Sequence, residues 1–474
     1  MRGTFSRRVL PYASLAAFAV TVWRASRYAA LDDAYISFRY AWNLVHGRGL
    51  VFNPGEVVEG YSNFLWTMLS AAALALGIDP VAASRAAGLA LTLAAAALVV
   101  AALRERSRAL AACAGVAVCL APPIVRQATN GLETALFTFL VTLGLVLGAK
   151  GRTRGASLVL ALAALTRLEG ALVFGVWWLA LAWRARGEGR TAWSRLAQAA
   201  VLFSAVFASY FAWRWVHFGS LLPNTFYAKT APLAMELRSG GAYVGTFLLL
   251  YPVFLLPLVP RRGPLDPRGA VYVLYLLYLV LIGGDSSEAF RFVAPLVPLG
   301  LVLAAERIAA LSRGWRIAGG GALVVLMAVA LGGTRVPADD AAALAARVVG
   351  EVARPGQSVA TAMIGEIGYR NPEVVIVDTV GLVEPAIARE AADPAIRVKG
   401  HRKHDAALVL ARDPDYFFPI GKLDVQDASH FTFTGFPFDT AIIERPDFPR
   451  RYALRGVEIG GRRIYYFART APPR

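Results

Sequence analysis

The sequence predicts a polytopic α-helical membrane protein that ends in a small α/β domain. Three observations carry this. Apolar residues make up 57% of the chain and mean hydropathy is +0.51, well above an ordinary soluble protein. Long Ala/Leu/Val runs recur from residue 9 to residue 333, as membrane spans do. After residue 335 the pattern changes to short β-branched runs between Ala-rich, helix-like stretches.

The candidate spans are 9–30, 81–103, 109–122, 131–149, 155–166, 170–183, 197–216, 243–260, 269–283, 292–311 and 317–333; about eleven crossings are expected, the short ones where helices break or line a cavity. Arg2, Arg7 and Arg8 precede the first run without a small-residue cleavage site, so an uncleaved span is expected. The apolar segment 62–78 decides the topology. If it does not cross, every loop on one side is basic, through residues such as Arg104, Arg152, Arg186, Arg268 and Arg316. If it crosses, that bias is lost. It is therefore read as an interfacial helix on the outer face. Arg24, Arg27 and Arg85 are exceptions near outer ends of spans; snorkelling and contact with a lipid phosphate both remain open.

The net charge of +17 suits nucleic acid only at first sight. The cations sit in short loops between spans, which is a topology signal and excludes a nucleic-acid partner. Cys113 and Cys119 share one apolar run and imply no disulfide or metal framework.

The organisation expected is a transmembrane part, 1–334, with an outer first loop at 31–80, and an extracytoplasmic α/β domain, 335–474. That domain holds Ser358–Thr361, the run Val374–Asp378, helix-like stretches at 340–350 and 404–412, and a terminal hairpin around Gly460-Gly461. About 140 residues suffice for one core.

Chemistry gathers on the outer face. Asp32-Asp33 directly follows the first span. Two adjacent carboxylates at a membrane surface repel, so at least one needs water, a cation or an Arg. The stretch they open also holds Tyr35, Arg39, His46, Glu56, Glu59 and Tyr61. Other outward stretches supply Arg167 and Glu169; His217, Asn224, Tyr227 and Lys229; Asp285, Glu288 and Arg291. Glycosyl transfer from a lipid phosphate needs such a set. A carboxylate activates the acceptor hydroxyl, cations hold the leaving phosphate, and aromatics face sugar rings. No P-loop or dinucleotide fingerprint is present, which disfavours a nucleotide-sugar enzyme.

These residues carry a resemblance. Leu31-Asp32-Asp33-Ala34-Tyr35-Ile36-Ser37-Phe38-Arg39-Tyr40, then Gly49–Glu56, then Glu59-Gly60-Tyr61-Ser62-Asn63-Phe64-Leu65-Trp66 resemble the first outer loop of a bacterial GT-C glycosyltransferase group. That group includes the mycobacterial terminal arabinofuranosyltransferases and related flagellar motor control proteins. Asn130–Thr134, Thr166–Gly170, Leu222–Lys229 and Gly283-Gly284-Asp285 with Arg291-Phe292 continue it in order across most of residues 30–300.

The resemblance implies a GT-C fold, a polyprenyl-phosphate-sugar donor lipid and an inverting transfer. Arabinofuranose is one candidate sugar, and a cell-envelope glycan or glycolipid is the acceptor. It implies a multi-pass protein of the bacterial inner membrane. Asp32 and Asp33 are then the catalytic candidates. Arg39, Arg167, Lys229 and Arg291 are donor-phosphate candidates. Tyr35, Glu59, Tyr61, Asn63, Trp66, Glu169, Asn224 and Asp285 are substrate-binding candidates.

Structural alternatives stand beside these. Asp32-Asp33 suits a helix cap, and Arg39 suits neutralisation of the pair. Arg167 suits an ion pair with Glu169, Arg291 one with Asp285 or Glu288, and Asn130 with Glu133 a capping box. The sequence requires no cofactor and leaves a divalent cation open. The competing class is a non-enzymatic membrane protein, a transporter or motor-associated factor. A transporter calls for internal repeats and mid-membrane polar groups, and the ionisable groups here gather at one face.

Overall fold

The computed structural model describes residues 19–260, 263–285, 289–333, 341–396, 398–425 and 431–470. The first half of the expected span 9–30, Glu288 and the Arg261-Arg262 pair lie outside them.

Through Gly333 the described chain is almost entirely helical. Local chemistry sets several helix starts. Asp79 accepts from the backbone N–H groups of Val81 and Ala82, and Pro80 opens Pro80–Leu103. Ser107 caps Arg108–Leu120, and Asp266 caps Pro267–Leu281 behind another proline. At 1.5 Å per residue, the 24 residues of Pro80–Leu103 reach about 36 Å, enough for a hydrocarbon core of about 30 Å.

About eleven spans are expected; length and composition alone qualify three described helices. These are Pro80–Leu103, Arg190–Phe218 and Gly314–Leu331, with a fourth if a bent pair counts as one. Thr134–Ala149, Thr153–Thr166 and Pro267–Leu281 are apolar but shorter. Phe64–Ala75, the segment expected to lie on the surface, has 12 residues and reaches about 18 Å.

Two boundaries differ from expectation. The span expected at 243–260 is not one helix. Leu233–Leu250 meets the 3-10 helix Pro252–Leu258 at 107°, where Pro252 and Pro257 remove backbone donors. The loop expected at 217–242 holds two helical pieces, Asn224–Lys229 and the start of Leu233–Leu250.

The helices bury a core that includes Val99, Phe137, Leu160, Trp177, Tyr272 and Leu301. The C-terminal region builds a separate five-stranded sheet. Its strands are β1 (Ser358–Thr361), β2 (Val375–Asp378), β3 (Tyr416–Phe418), β6 (Tyr452–Ile459) and β7 (Arg462–Arg469), in the order β2-β1-β3-β7-β6. β1 runs parallel to β2 and β3, while β3–β7 and β7–β6 are antiparallel. Gly460-Gly461 turns the last hairpin, as expected. β4 (Gly421–Val425) and β5 (Phe431–Gly435) form a second small hairpin.

One face of the five-stranded sheet is not covered by its own region alone. Ile36, Tyr40, Leu50, Phe52 and Tyr61 of the first loop share a core with Val359, Ile376 and Phe418. Each large apolar side chain buried in this way contributes about 1.5–3 kcal/mol. The turn Asn53-Pro54-Gly55 adds polar matching. Asn53 accepts from the N–H of Ile376 at 3.1 Å and donates to its carbonyl at 2.8 Å. It thereby pairs the open edge of β2 as a neighbouring strand would.

Candidate active site

The helix Asp32–Val45 opens with both acidic residues in its first turn, where the helix dipole favours negative charge. Consecutive side chains diverge by about 100° on a helix, and that separates the pair. Asp33, Ile36 and Ser37, spaced three and four apart, line a cavity of about 540 Å³ between the helices and the C-terminal region.

Asp32 points elsewhere. Its oxygens accept from the backbone N–H groups of Gly365 at 3.0 Å and Glu366 at 2.7 Å, at the start of helix Ile364–Arg370. The contact needs a glycine: a Cβ on Gly365 would stand 1.9 Å from the Asp32 carbonyl oxygen. Burial pushes the Asp32 carboxyl up to about 7, against the two N–H bonds and with the charges of Asp33 and Glu366 adding to it.

Asp33 is held differently. Its side chain is 40% exposed, into the cavity, with Arg291 Nη1 at 3.5 Å and Lys229 Nζ at 3.8 Å from Oδ2. Burial works to raise this carboxyl, but Lys229, Arg291 and His401 outweigh it and hold it below its ordinary value.

Arg167, Lys229 and Arg291 all line the cavity. Arg291 is also held by Asp285 at 3.0 Å, and Arg167 is gripped by Glu133 at 2.6 Å and Glu169 at 2.8 Å. Tyr61 and Asn63 line it too. Asn63 donates to Glu133 at 2.8 Å and accepts from Ser37 at 2.9 Å. The Tyr61 hydroxyl is buried with no hydrogen-bond partner among the described residues. Leu222, Phe226, Leu233 and Leu281 form an apolar side of the same space. Phe226, Leu233 and Leu281 are also exposed at the protein surface, so the cavity has an apolar flank.

Several expected site residues lie outside the cavity lining. Arg39 is wholly buried and spends its guanidinium on the carbonyls of Phe52, Gly368 and Val374 and on Asn53 Oδ1. Four of its five N–H donors are taken and the side chain is sealed away from the cavity; it ties the first loop to the C-terminal region. Glu59 is locked to the fully buried Arg214. Tyr35 packs on Phe38 and Tyr369, and Trp66 donates to the Gly131 carbonyl. Asn224 donates to the carbonyls of Gly381 and Leu382. Asp285 stands behind Arg291.

The capping-box expectation fails in the same light. Glu133 makes no capping bond and instead faces the cavity beside Arg167, while Asn130 accepts locally from Leu132.

Cavity residues that escape the sequence reading include Glu236, Tyr278 and Lys399. Glu236 is a single carboxylate at the start of an apolar helix. Lys399 begins Lys399-Gly400-His401-Arg402-Lys403-His404, a basic run in a region expected outside. The charge rule that singled out Lys229 also applies to it. Among the described residues no group of three or more His, Cys, Asp and Glu is placed to hold a metal ion.

Parts of this chain are similar to known proteins. Residues 334–467 match a family described as a domain of unknown function, DUF8728. A terminal β-(1→2)-arabinofuranosyltransferase of Corynebacterium glutamicum is 26% identical over 337 residues, covering 60% of this chain. The chain spans about half the length of that relative, 49%. Among solved structures, ArnT from Cupriavidus metallidurans bound to undecaprenyl phosphate superimposes with a TM-score of 0.59 at 13% identity. The match covers 99% of this chain and 100% of that one. The apo state of the same protein gives 0.58 at 13% identity, over 98% of each chain. The chain therefore has the GT-C fold of ArnT and resembles the GT-C membrane glycosyltransferases, arabinofuranosyltransferases among them.

Proposed function

We propose that the protein is an inverting membrane glycosyltransferase that takes a sugar from a polyprenyl-phosphate donor. The observation that carries this is one carboxylate, Asp33, standing between two cations at 3.5 and 3.8 Å in a cavity with an apolar flank. The ArnT structure contains undecaprenyl phosphate, and a phosphate on an isoprenoid tail matches both features. The acceptor is a cell-envelope glycan or lipid at the extracytoplasmic face. Arabinofuranose is the first sugar to test, since the Corynebacterium relative transfers it by name.

In the proposed step Asp33 takes the proton of the acceptor hydroxyl. That oxygen attacks the anomeric carbon, and the bond from this carbon to the phosphate oxygen breaks. The electron pair leaves with the phosphate, which Lys229 and Arg291 hold. One displacement inverts the configuration.

The resting pairing adds a coupling. While both cations face Asp33 they weaken it as a base. A donor phosphate that draws them away leaves Asp33 more basic at the moment the acceptor needs activation. Asp32 supports the geometry by fixing the helix N-terminus against Ile364–Arg370.

The test is transfer by the purified protein from a panel of radiolabelled polyprenyl-phosphate sugars to glycan and lipid acceptors, with the product anomer determined. Transfer from one donor with inversion is expected. No transfer from any donor by folded protein would overturn the enzymatic reading in favour of a binding role, and retention would overturn the single displacement.

A further inference from the structure

The helix that carries Lys229 is gripped from the C-terminal region. Asn224 donates to the carbonyls of Gly381 and Leu382, at 2.9 and 3.0 Å. The Arg389 guanidinium lies 4.9 Å from the Tyr227 ring centre, and Ala228 is buried in the core beneath the sheet. Lys229 itself passes close to Gly400. A Cβ on Gly400 would stand 3.3 Å from Lys229 Cε and 3.5 Å from Cγ, so the lysine stem runs along the Gly400 backbone. Gly400 has φ +86, which a side chain rarely adopts.

The residues beside it anchor this loop to the membrane helices. Lys399 Nζ donates to the carbonyls of Ile282 and Gly284, just past the end of Pro267–Leu281, and lies 3.6 Å from Glu236. A cation there meets the free carbonyls of a helix C-terminus. Arg402 reaches the other oxygen of Glu236 at 3.7 Å.

Building on the proposed donor site, we infer that the Lys399–Arg402 loop is a positioning element for Lys229. Lys399 and Arg402 moor the loop, Gly400 braces the lysine stem, and the ammonium is held toward Asp33. The C-terminal region thereby sets the affinity for the donor phosphate.

The experiment uses the purified full chain with Gly400→Val and Lys399→Met, each alone and combined with Lys229→Ala. Two readouts are taken. The first is Kd for undecaprenyl phosphate, with KM and kcat alongside. The second is the rate of Lys229 acetylation by acetic anhydride, followed by mass spectrometry and referred to the exposed Lys422. In the wild-type background each variant is expected to weaken binding about tenfold, mainly in KM, the size of one lost charge-assisted contact. In the Lys229→Ala background the loss shrinks to less than about twofold, as for residues that act through one another. Lys229 acetylation rises relative to Lys422.

Equal losses in both backgrounds, or unchanged Lys229 reactivity in a folded variant, would overturn the inference. If Gly400→Val does not fold, Lys399→Met carries the same readouts. If the wild type binds no undecaprenyl phosphate, the donor reading fails, and the acetylation rates still decide the positioning role.

Discussion

Two ion-pair regions flank the segment from Asp32 to Asn63, and they are built to opposite rules. At Glu59, Arg214 places Nε against both carboxylate oxygens, at 3.0 and 3.2 Å, adds Nη2 to the same group and gives Nη1 to the Leu221 carbonyl. Both side chains are sealed, at 0% and 2% exposure. At Asp33 the cations stand 3.5 and 3.8 Å away, beyond the usual charge-assisted range of about 2.7–2.9 Å, and the carboxylate opens into a cavity. A closed pair has nothing left to offer a ligand. A loose pair can release its cations to a phosphate and its carboxylate to a proton. Charge is common to both regions; exposure and unfinished coordination mark only the second.

The largest effect that sharpens this contrast separates the two aspartates. Asp33→Asn should lower transfer by about 10²–10⁴-fold, the usual contribution of a general base, with the melting temperature little changed. Asp32→Asn should retain measurable transfer and lose stability, because its oxygens accept two backbone N–H bonds. Equal loss of activity in both would erase the distinction.

Next, Arg214→Met should destabilise the fold by about 3–5 kcal/mol, the cost of stranding a buried partner charge. Glu59 has its carboxyl raised by burial against the pull of Arg214. Thermal unfolding measures the loss, and the folded protein should bind undecaprenyl phosphate unchanged. Arg291→Ala and Lys229→Ala should do the reverse, weakening that binding about tenfold each with a smaller stability change. A sealed pair that alters donor affinity would contradict the contrast.

Titration gives the third prediction. Asp33 has a lowered pKa, so its contribution to stability is present above the ordinary value of 3.8 and is lost as pH falls through its lower folded value. The acid limb of kcat/KM, which reports the free enzyme, should therefore lie below pH 3.8, and that of kcat should lie higher once phosphate has drawn the cations off. Asp32 has the opposite sign. Its folded value is about 7 against 3.8, so its stabilising effect is full below 3.8 and disappears as pH rises through 7. Melting temperatures at pH 5 and pH 8 should differ less in Asp32→Asn than in the wild type.

The smallest effect is at the edge of β2. Asn53→Ala should cost about 1–2 kcal/mol by removing two backbone-matching bonds, read as a lower melting temperature with transfer preserved.

Much of this was legible along the chain, and the exceptions share a cause. Apolar periodicity marked most helices, since helix burial repeats locally; it failed at 243–260, where two prolines turn the chain by 107°. Asp33, Arg167, Lys229 and Arg291 were singled out as charged groups in stretches expected on the outer face, and the fold brings all four to one cavity. Arg39 and Glu59 come from the same stretch and lie outside that cavity lining, engaged by Gly368 and Arg214, partners distant in sequence. Glu133 fitted a local capping pattern, and only the fold brings Arg167 to it. Lys399 lies 170 residues from Lys229, and nothing local to either indicates that the lysine stem passes beside Gly400.

The most direct measurement is an experimental structure of the protein with undecaprenyl phosphate. The phosphate should sit between Lys229 and Arg291 at about 2.7–2.9 Å, with the isoprenoid tail along Phe226 and Leu233 and the Asp33 carboxylate freed of both cations. A phosphate bound elsewhere, with Asp33 still paired to Lys229 and Arg291, would contradict the assignment of this cavity as the transfer site.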